Sequence, residues 1–365
     1  MTKGKLRLGI IGANANYGWA PRAHLPALKA VPNLDLVAVC TSHKETAQES
    51  AKKFGVPLAF DDPNKMLNEA ELDVIGVVVR VPFHYQLTTD AIASGKHVFT
   101  EWPLGANLVE AETMADLARQ NGVHTMVGLQ ARCSPAFLRL KELIGDGYLG
   151  EILSCHMTQF LGGGLARTSD RTWQRDKQLG ANTLTIAFGH AIDALCMCLG
   201  EFQELSAVVS TQVSQWYESD TGRTVDVTAP DSVQVAGRLR NGAAVSAHVS
   251  SVPWHGSGFR LEVYGRAGTI VLTTREQAQI GKVRLLGARG TGVALEEMPI
   301  PERLTWISGS VLDGASFNVA QMWSRFANNI LSGEKSEPDF HMAVVRHKLL
   351  DTIQHASDTG KKQVV

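Results

Sequence analysis

The sequence predicts an α/β chain of two domains. A doubly wound parallel sheet occupies 1–130, and an α+β domain with a large, mostly antiparallel sheet occupies 131–365. Three observations carry this prediction. The apolar run Lys5-Leu6-Arg7-Leu8-Gly9-Ile10-Ile11 stops at Gly12 and turns through glycine and asparagine into helical spacing. Strand-like and helix-like segments then alternate through the first third. From about residue 150 the rhythm changes to neighbouring strands joined by turns. A chain of 365 residues is also too long for a single core.

The elements follow in order. Segments 6–11, 34–40, 74–79, 97–100 and 125–128 are nearly continuous in apolar character, as strands buried on both faces are. Between them 21–31, 44–54, 85–94 and 108–120 carry helical period. In the second domain, 152–158, 232–239, 243–251, 259–264 and 269–272 read as strands. Arg240-Asn241-Gly242 and Arg266-Ala267-Gly268 supply turns between them. An amphipathic helix over 184–199 interrupts the strands, and helices over 317–331 and 342–357 end the chain. Residues 211–229, polar and turn-rich, are expected to form a mobile loop.

The first turn points to a nucleotide. A strand that ends at a glycine turn and opens a helix offers free N–H groups and a positive dipole end to a pyrophosphate. Gly12 takes the first glycine position, Asn14 stands where the second is expected, and Gly18 arrives late, so Asn16, Tyr17 and Trp19 lengthen the turn. Gly and Asn suit a turn whose backbone must reach positive φ. A carboxylate at the end of the second strand would hold the ribose hydroxyls of NAD. Here the strand runs out through Cys40-Thr41-Ser42-His43-Lys44 with no acidic residue. Ser42 and Lys44 could accept a 2′-phosphate, favouring NADP with NAD as the alternative; otherwise Ser42 is a helix cap beside an exposed lysine.

Composition excludes other classes. The 35 basic residues nearly cancel the 36 acidic ones, without a like-charged block, so nucleic acid and anionic membranes have no electrostatic footprint. No apolar run is long enough to span a bilayer, and a signal-peptide pattern is missing at the start. Cys40, Cys133, Cys155, Cys196 and Cys198 are odd in number and scattered, which predicts buried free thiols and a reducing, cytoplasmic compartment. No His-x-x-x-His or clustered ligand set predicts a metal.

Four motifs line up in order: the glycine turn with Trp19-Ala20-Pro21-Arg22-Ala23-His24-Leu25-Pro26; Val81-Pro82-Phe83-His84; Gly95-Lys96-His97-Val98-Phe99-Thr100-Glu101-Trp102-Pro103; and Phe188-Gly189-His190-Ala191-Ile192-Asp193. With Gly128-Leu129-Gln130-Ala131-Arg132 between the domains, this order resembles the glucose–fructose oxidoreductase/inositol dehydrogenase (Gfo/Idh/MocA) family over nearly the whole chain. The match is closest to the branch of the yeast galactose-regulon repressor. The resemblance implies a Rossmann domain, a dinucleotide and pairing of copies into a homodimer or homotetramer.

The resemblance also assigns residues. Glu101 and Trp102 end a strand at the cleft and take both cofactor and catalytic roles, while Val81 and His84 pack on the cofactor side. His190 takes the family's acid/base position, suited by a near-neutral intrinsic pKa. Asp193, one turn later, either orients that imidazole or faces elsewhere. Arg132, Trp173, Trp254 and the adjacent His255 are candidate substrate contacts, since indoles suit the apolar faces of sugars. Oxidoreductases of the family carry Glu-Lys-Pro where this chain has Glu101-Trp102-Pro103, and an aspartate where it has Ile186. Three readings follow: an NAD(P)-dependent oxidoreductase acting on a sugar or polyol, a dinucleotide-sensing regulator, or a redox-neutral lyase or epimerase.

Overall fold

In the computed structural model, which describes residues 4–307, 312 and 314–365, six strands make the first sheet. They are β1 (Leu6–Ile11), β2 (Leu34–Cys40), β3 (Leu58–Phe60), β4 (Val74–Val77), β5 (His97–Glu101) and β6 (Thr125–Gly128). All pair in parallel, in the order β3-β2-β1-β4-β5-β6. Every residue of β4 and β6 is buried, which accounts for their unbroken apolar character. The order reverses between β1 and β4, so the crevice beyond the carboxyl ends of these strands is where a ligand binds in such sheets.

The connecting helices are α1 (Leu25–Leu28), α2 (Lys44–Phe54), α3 (Pro63–Glu69), α4 (His84–Ala93) and α5 (Leu108–Asn121). Their ends follow from local chemistry. Asp62 accepts from the N–H groups of Asn64 and Lys65, and Asn107 from that of Glu110, satisfying donors at two helix starts. The strand β3 and helix α3 escape the sequence reading because β3 is three residues long and mostly exposed. The expected helix over 21–31 is replaced by a π-helical turn, Ala20–His24, closed by Leu25 N–H on Ala20 O, and the short α1.

The chain forms two compact units. The first is Met1–Gln130 together with Thr305–Val345; the second is Ala131–Leu304 together with Arg346–Val365. By these contacts, 305–345 belongs with the first unit rather than with the rest of the expected 131–365 span. That segment carries α8 (Ala315–Ser332), whose Trp323 stacks on Phe99 of β5 with ring centroids 4.4 Å apart.

The second unit contains α6 (Pro135–Gly145), α7 (Gly189–Leu199) and most of α9 (Phe340–Thr359). Its large sheet comprises β7 (Ile152–Leu161), β9 (Phe202–Ser210), β12 (Ser232–Leu239), β13 (Ala244–Ser251), β14 (Gly258–Gly265), β15 (Gly268–Thr274), β16 (Arg284–Arg289), β17 (Glu296–Glu297) and β18 (Gln363–Val364). Pairing is antiparallel throughout except between β7 and β13. One face is apolar, as period-two alternation requires, with Cys155, Met157, Val235, Val249, Leu261 and Val263 all buried.

Two expectations change here. Residues 211–229 do not form a structureless loop: β8 (Ala166–Arg167), β10 (Gln215–Glu218) and β11 (Thr224–Asp226) make a small separate sheet. Trp216, Val227 and Ala229 give it a core of its own, and the Arg167 guanidinium lies 3.9 Å from the Trp216 ring centroid. Segment Lys177–Leu199 is, contrary to the sequence reading, long and apolar enough to span a bilayer. However, 72% of its apolar window is buried inside the protein, as the core helix of a folded unit is.

Candidate functional site

In the first unit the candidates gather at the carboxyl ends of the strands. Gly12 has φ +90°, and a Cβ there would lie 2.2 Å from the carbonyl oxygen of Val78, just beyond β4. Only glycine fits, and the turn passes tightly over the sheet edge. Gly18 also has φ +90°, with open space where a side chain would project. Asn14 and Asn16 do not adopt positive φ, a correction to the expected reason for their presence. Asn14 works through its side chain, whose Oδ1 accepts from the N–H groups of Asn16 (2.9 Å) and Tyr17 (3.1 Å). Asn16 donates to Glu49 at 2.7 Å, and Lys53 Nζ donates to the carbonyl of Ala15 at 3.0 Å. Tyr17 is exposed and accepts from Arg80 Nη2, whereas Trp19 is half-buried. A bare, tightly held turn of this kind fits the pyrophosphate of a dinucleotide.

Beyond β2, Ser42 and Lys44 are both exposed. Ser42 is not the helix cap: the N-cap of α2 is His43, and it makes no side-chain capping bond. Instead Thr41 Oγ1 donates to the carbonyl of His43 at 2.9 Å, fixing the bend. Beyond β4, Val81 is buried and starts a single 3-10 turn. His84 places Nδ1 2.8 Å from the carbonyl of Pro103 and Nε2 3.1 Å from that of Val79. It thereby ties the ends of β4 and β5 together. Burial pushes its pKa down, against the pull of those carbonyls, and a neutral ring donates to only one of them.

At the end of β5, Glu101 and Trp102 are both buried. Glu101 belongs to a hydrogen-bond chain that sequence reading missed. Trp323 Nε1–H donates to His24 Nδ1 at 3.0 Å, which leaves His24 Nε2 to carry the proton. Nε2 lies 2.7 Å from Glu101 Oε1, and Gln130 Nε2 donates to Glu101 Oε2 at 2.9 Å. The strand neighbour of Glu101 is Gly128, where a Cβ would meet Oε2 at 2.6 Å. His24 stood in a quoted motif, but its partners lie 77 and 299 residues away, beyond any local pattern.

In the second unit His190 sits in the first turn of α7, 6% exposed. A π-helical segment, Thr183–Phe188, precedes it and is started by a capping box between Asn182 and Thr185. Half-buried Ile186 lies in that segment. π-Helical turns inside helices are frequent at functional sites.

Asp193 does not orient His190, and neither it nor Arg132 is a free substrate contact. Arg132 donates from Nε and Nη2 to the two carboxylate oxygens of Asp193, both at 2.8 Å. Arg346 Nε donates to Asp193 Oδ1 at 3.1 Å and, through Nη1 and Nη2, pairs with Glu201. Burial opposes the charge on Asp193, but the two guanidinium groups outweigh it and hold its pKa below the ordinary range. Trp173 is half-buried in a 3-10 turn, while Trp254 and His255 project from an exposed loop, Trp254 being 76% exposed.

All five cysteines are free and buried, and burial pushes the thiols of Cys40, Cys155 and Cys198 up to about 12. Among the described residues no group of three His, Cys, Asp or Glu side chains could hold a metal.

Comparison with known proteins agrees with this geometry. Residues 6–129 match the oxidoreductase family Gfo/Idh/MocA, NAD-binding Rossmann fold, and residues 135–274 match the C-terminal domain of Gal80p. Dehydrogenase aclE of Aspergillus oryzae is 28% identical, over 98% of this chain and 97% of its own. A super-repressor mutant of Gal80p from Saccharomyces cerevisiae superposes with a TM-score of 0.87 at 23% identity, covering 99% of this chain and 98% of that one. Levoglucosan dehydrogenase, solved with NADH and L-sorbose, gives 0.86 at 21% identity over 100% and 99%. At these identities the two structures speak to fold alone.

Proposed function

We propose, for a chain that belongs to the Gfo/Idh/MocA family and carries a Gal80p-like second domain, an NAD(P)-dependent oxidoreductase acting on a sugar, polyol or sugar-like carbonyl. The observation that carries this reading is the turn at Gly12, closed on Val78 so tightly that only glycine fits, at the switch point of the parallel sheet. The full-length likeness to a dehydrogenase supports it. When bound, the dinucleotide supplies a hydride acceptor or donor at its nicotinamide ring. Gly12, Gly18 and the Asn14-braced backbone would hold the pyrophosphate. Ser42 and Lys44 would face the adenosine ribose and accept a 2′-phosphate, so NADP binds at least as well as NAD. His190 would take and return the substrate hydroxyl proton, since neither Trp102 nor Ile186 can. Trp254, exposed on its loop, is the candidate for a sugar's apolar face.

The outer face of the large sheet would pair with a second copy. A depression of about 320 Å³ lies there among Ser206, Val208, Gln234, Ala236, Ser246 and His248, with Val208 57% exposed. Light scattering that shows only monomer at micromolar concentration would contradict this pairing. A second reading, a regulator that reads the dinucleotide and docks a protein, draws on Trp102 and Ile186 in place of proton-carrying residues. A sugar and polyol panel, read by nicotinamide absorbance, separates the two.

A further inference from the structure

The buried chain Trp323–His24–Glu101–Gln130 has no part in the proton transfer assigned to His190. We infer that the Glu101 carboxylate is a fixed negative charge that makes the nicotinamide half of the site prefer the oxidised dinucleotide over the reduced one. This inference rests on the dinucleotide reading above and specifies which redox form the site favours.

The placement comes from topology. In a sheet ordered β3-β2-β1-β4-β5-β6, the strands from β4 onward form the second mononucleotide half, and the ligand lies beyond their carboxyl ends. Glu101 is the last residue of β5. The oxidised nicotinamide ring carries a positive charge and the reduced ring is neutral, so a nearby carboxylate acts on one form and not the other.

The chemistry of the surroundings keeps that charge in one place. Trp323 Nε1–H donates to His24 Nδ1, which fixes the imidazole as neutral with its proton on Nε2. That proton points at Glu101 Oε1 at 2.7 Å, while Gln130 donates to Oε2 at 2.9 Å. Both oxygens accept, and both donors are uncharged, so the carboxylate is solvated without being neutralised. Gly128 leaves the volume the group needs, since a Cβ there would stand 2.6 Å from Oε2. Trp102 follows in the position where the family resemblance expects a lysine, so the next residue in the chain brings no ammonium to the carboxylate. His24, Trp323 and Gln130 are therefore positioning residues, and Glu101 supplies the field.

Calorimetric titration of the full chain with oxidised and reduced dinucleotide tests the inference through the ratio of the two dissociation constants. Glu101→Gln keeps size and removes charge. It should shift the ratio toward the reduced form by on the order of tenfold, a typical size for one partly buried charge. Glu101→Asp keeps the charge and should stay near the wild-type ratio, with thermal unfolding confirming that both variants fold. An unchanged ratio in folded Glu101→Gln overturns the inference while leaving dinucleotide binding intact. Equal shifts in the Asp and Gln variants also overturn it, because packing would then be the cause. A wild-type chain that binds neither form removes the dinucleotide reading and this inference together.

Discussion

Asp193 meets Arg132 through two parallel hydrogen bonds of 2.8 Å, with both side chains buried, and shares its Oδ1 with Arg346. This alternation of two arginines and two carboxylates, completed by Glu201, joins α7, α9 and the segment at Arg132 within the second unit. Removing one carboxylate leaves buried guanidinium charge without a partner. Asp193→Asn should therefore lower unfolding free energy by about 3–5 kcal/mol, as breaking buried pairs does. Denaturant titration checks this. A variant within experimental error of wild type would mean that the arginines find other partners or water.

A second stability effect concerns pH. Burial pushes the pKa of His347 down to about 4 from an ordinary 6.5. The unfolded chain therefore takes up this proton first as pH falls. The favourable contribution is complete above about pH 6.5 and is lost as pH drops toward 4, to the extent of about 3 kcal/mol. Thermal unfolding from pH 7 to pH 4 should show that loss, and His347→Phe should flatten it. An equal slope in the variant would assign the effect to other groups.

Cofactor preference tests the loop after β2. Ser42→Asp places a carboxylate beside the exposed Lys44, where it repels a 2′-phosphate and can accept ribose hydroxyls. Calorimetry should show NADP weakened and NAD strengthened relative to wild type. Unchanged affinity for both would show that the segment does not touch the ribose.

The strength and failure of sequence reading have physical causes. β1 and β2 were legible to the residue because buried parallel strands are continuous apolar runs bounded by turn residues. β3 was not, since a strand of three residues with two exposed carries no such signal. Residues 211–229 look polar because their small sheet needs only Trp216, Val227 and Ala229 to fold on. The return of 305–345 to the first unit was also hidden, for amphipathic α8 does not announce which core its Trp323 enters. Among the candidate residues, Gly12 and Glu101 of the first unit and His190 of the second could be picked out singly by local motif. Long-range partnerships could not: the Trp323–His24–Glu101 chain and the Arg132–Asp193–Arg346 cluster join residues from distant parts of the sequence.

His190 carries the mechanistic claim most narrowly. His190→Ala should lower turnover by roughly two to four powers of ten, the range for loss of a general acid or base, and leave dinucleotide affinity nearly unchanged. Steady-state rates together with calorimetric affinities decide it. Wild-type turnover in the variant would place proton transfer on another residue.

On the proposed function, this chain moves hydride between a nicotinamide and a sugar or polyol. Absorbance of the dinucleotide, followed with wild-type protein, both cofactors in both redox states and a broad panel of sugars and polyols, tests it most directly. Interconversion of oxidised and reduced nicotinamide with at least one of these compounds is the expected result. Dinucleotide binding without any change in absorbance across the whole panel would contradict it and favour the regulator.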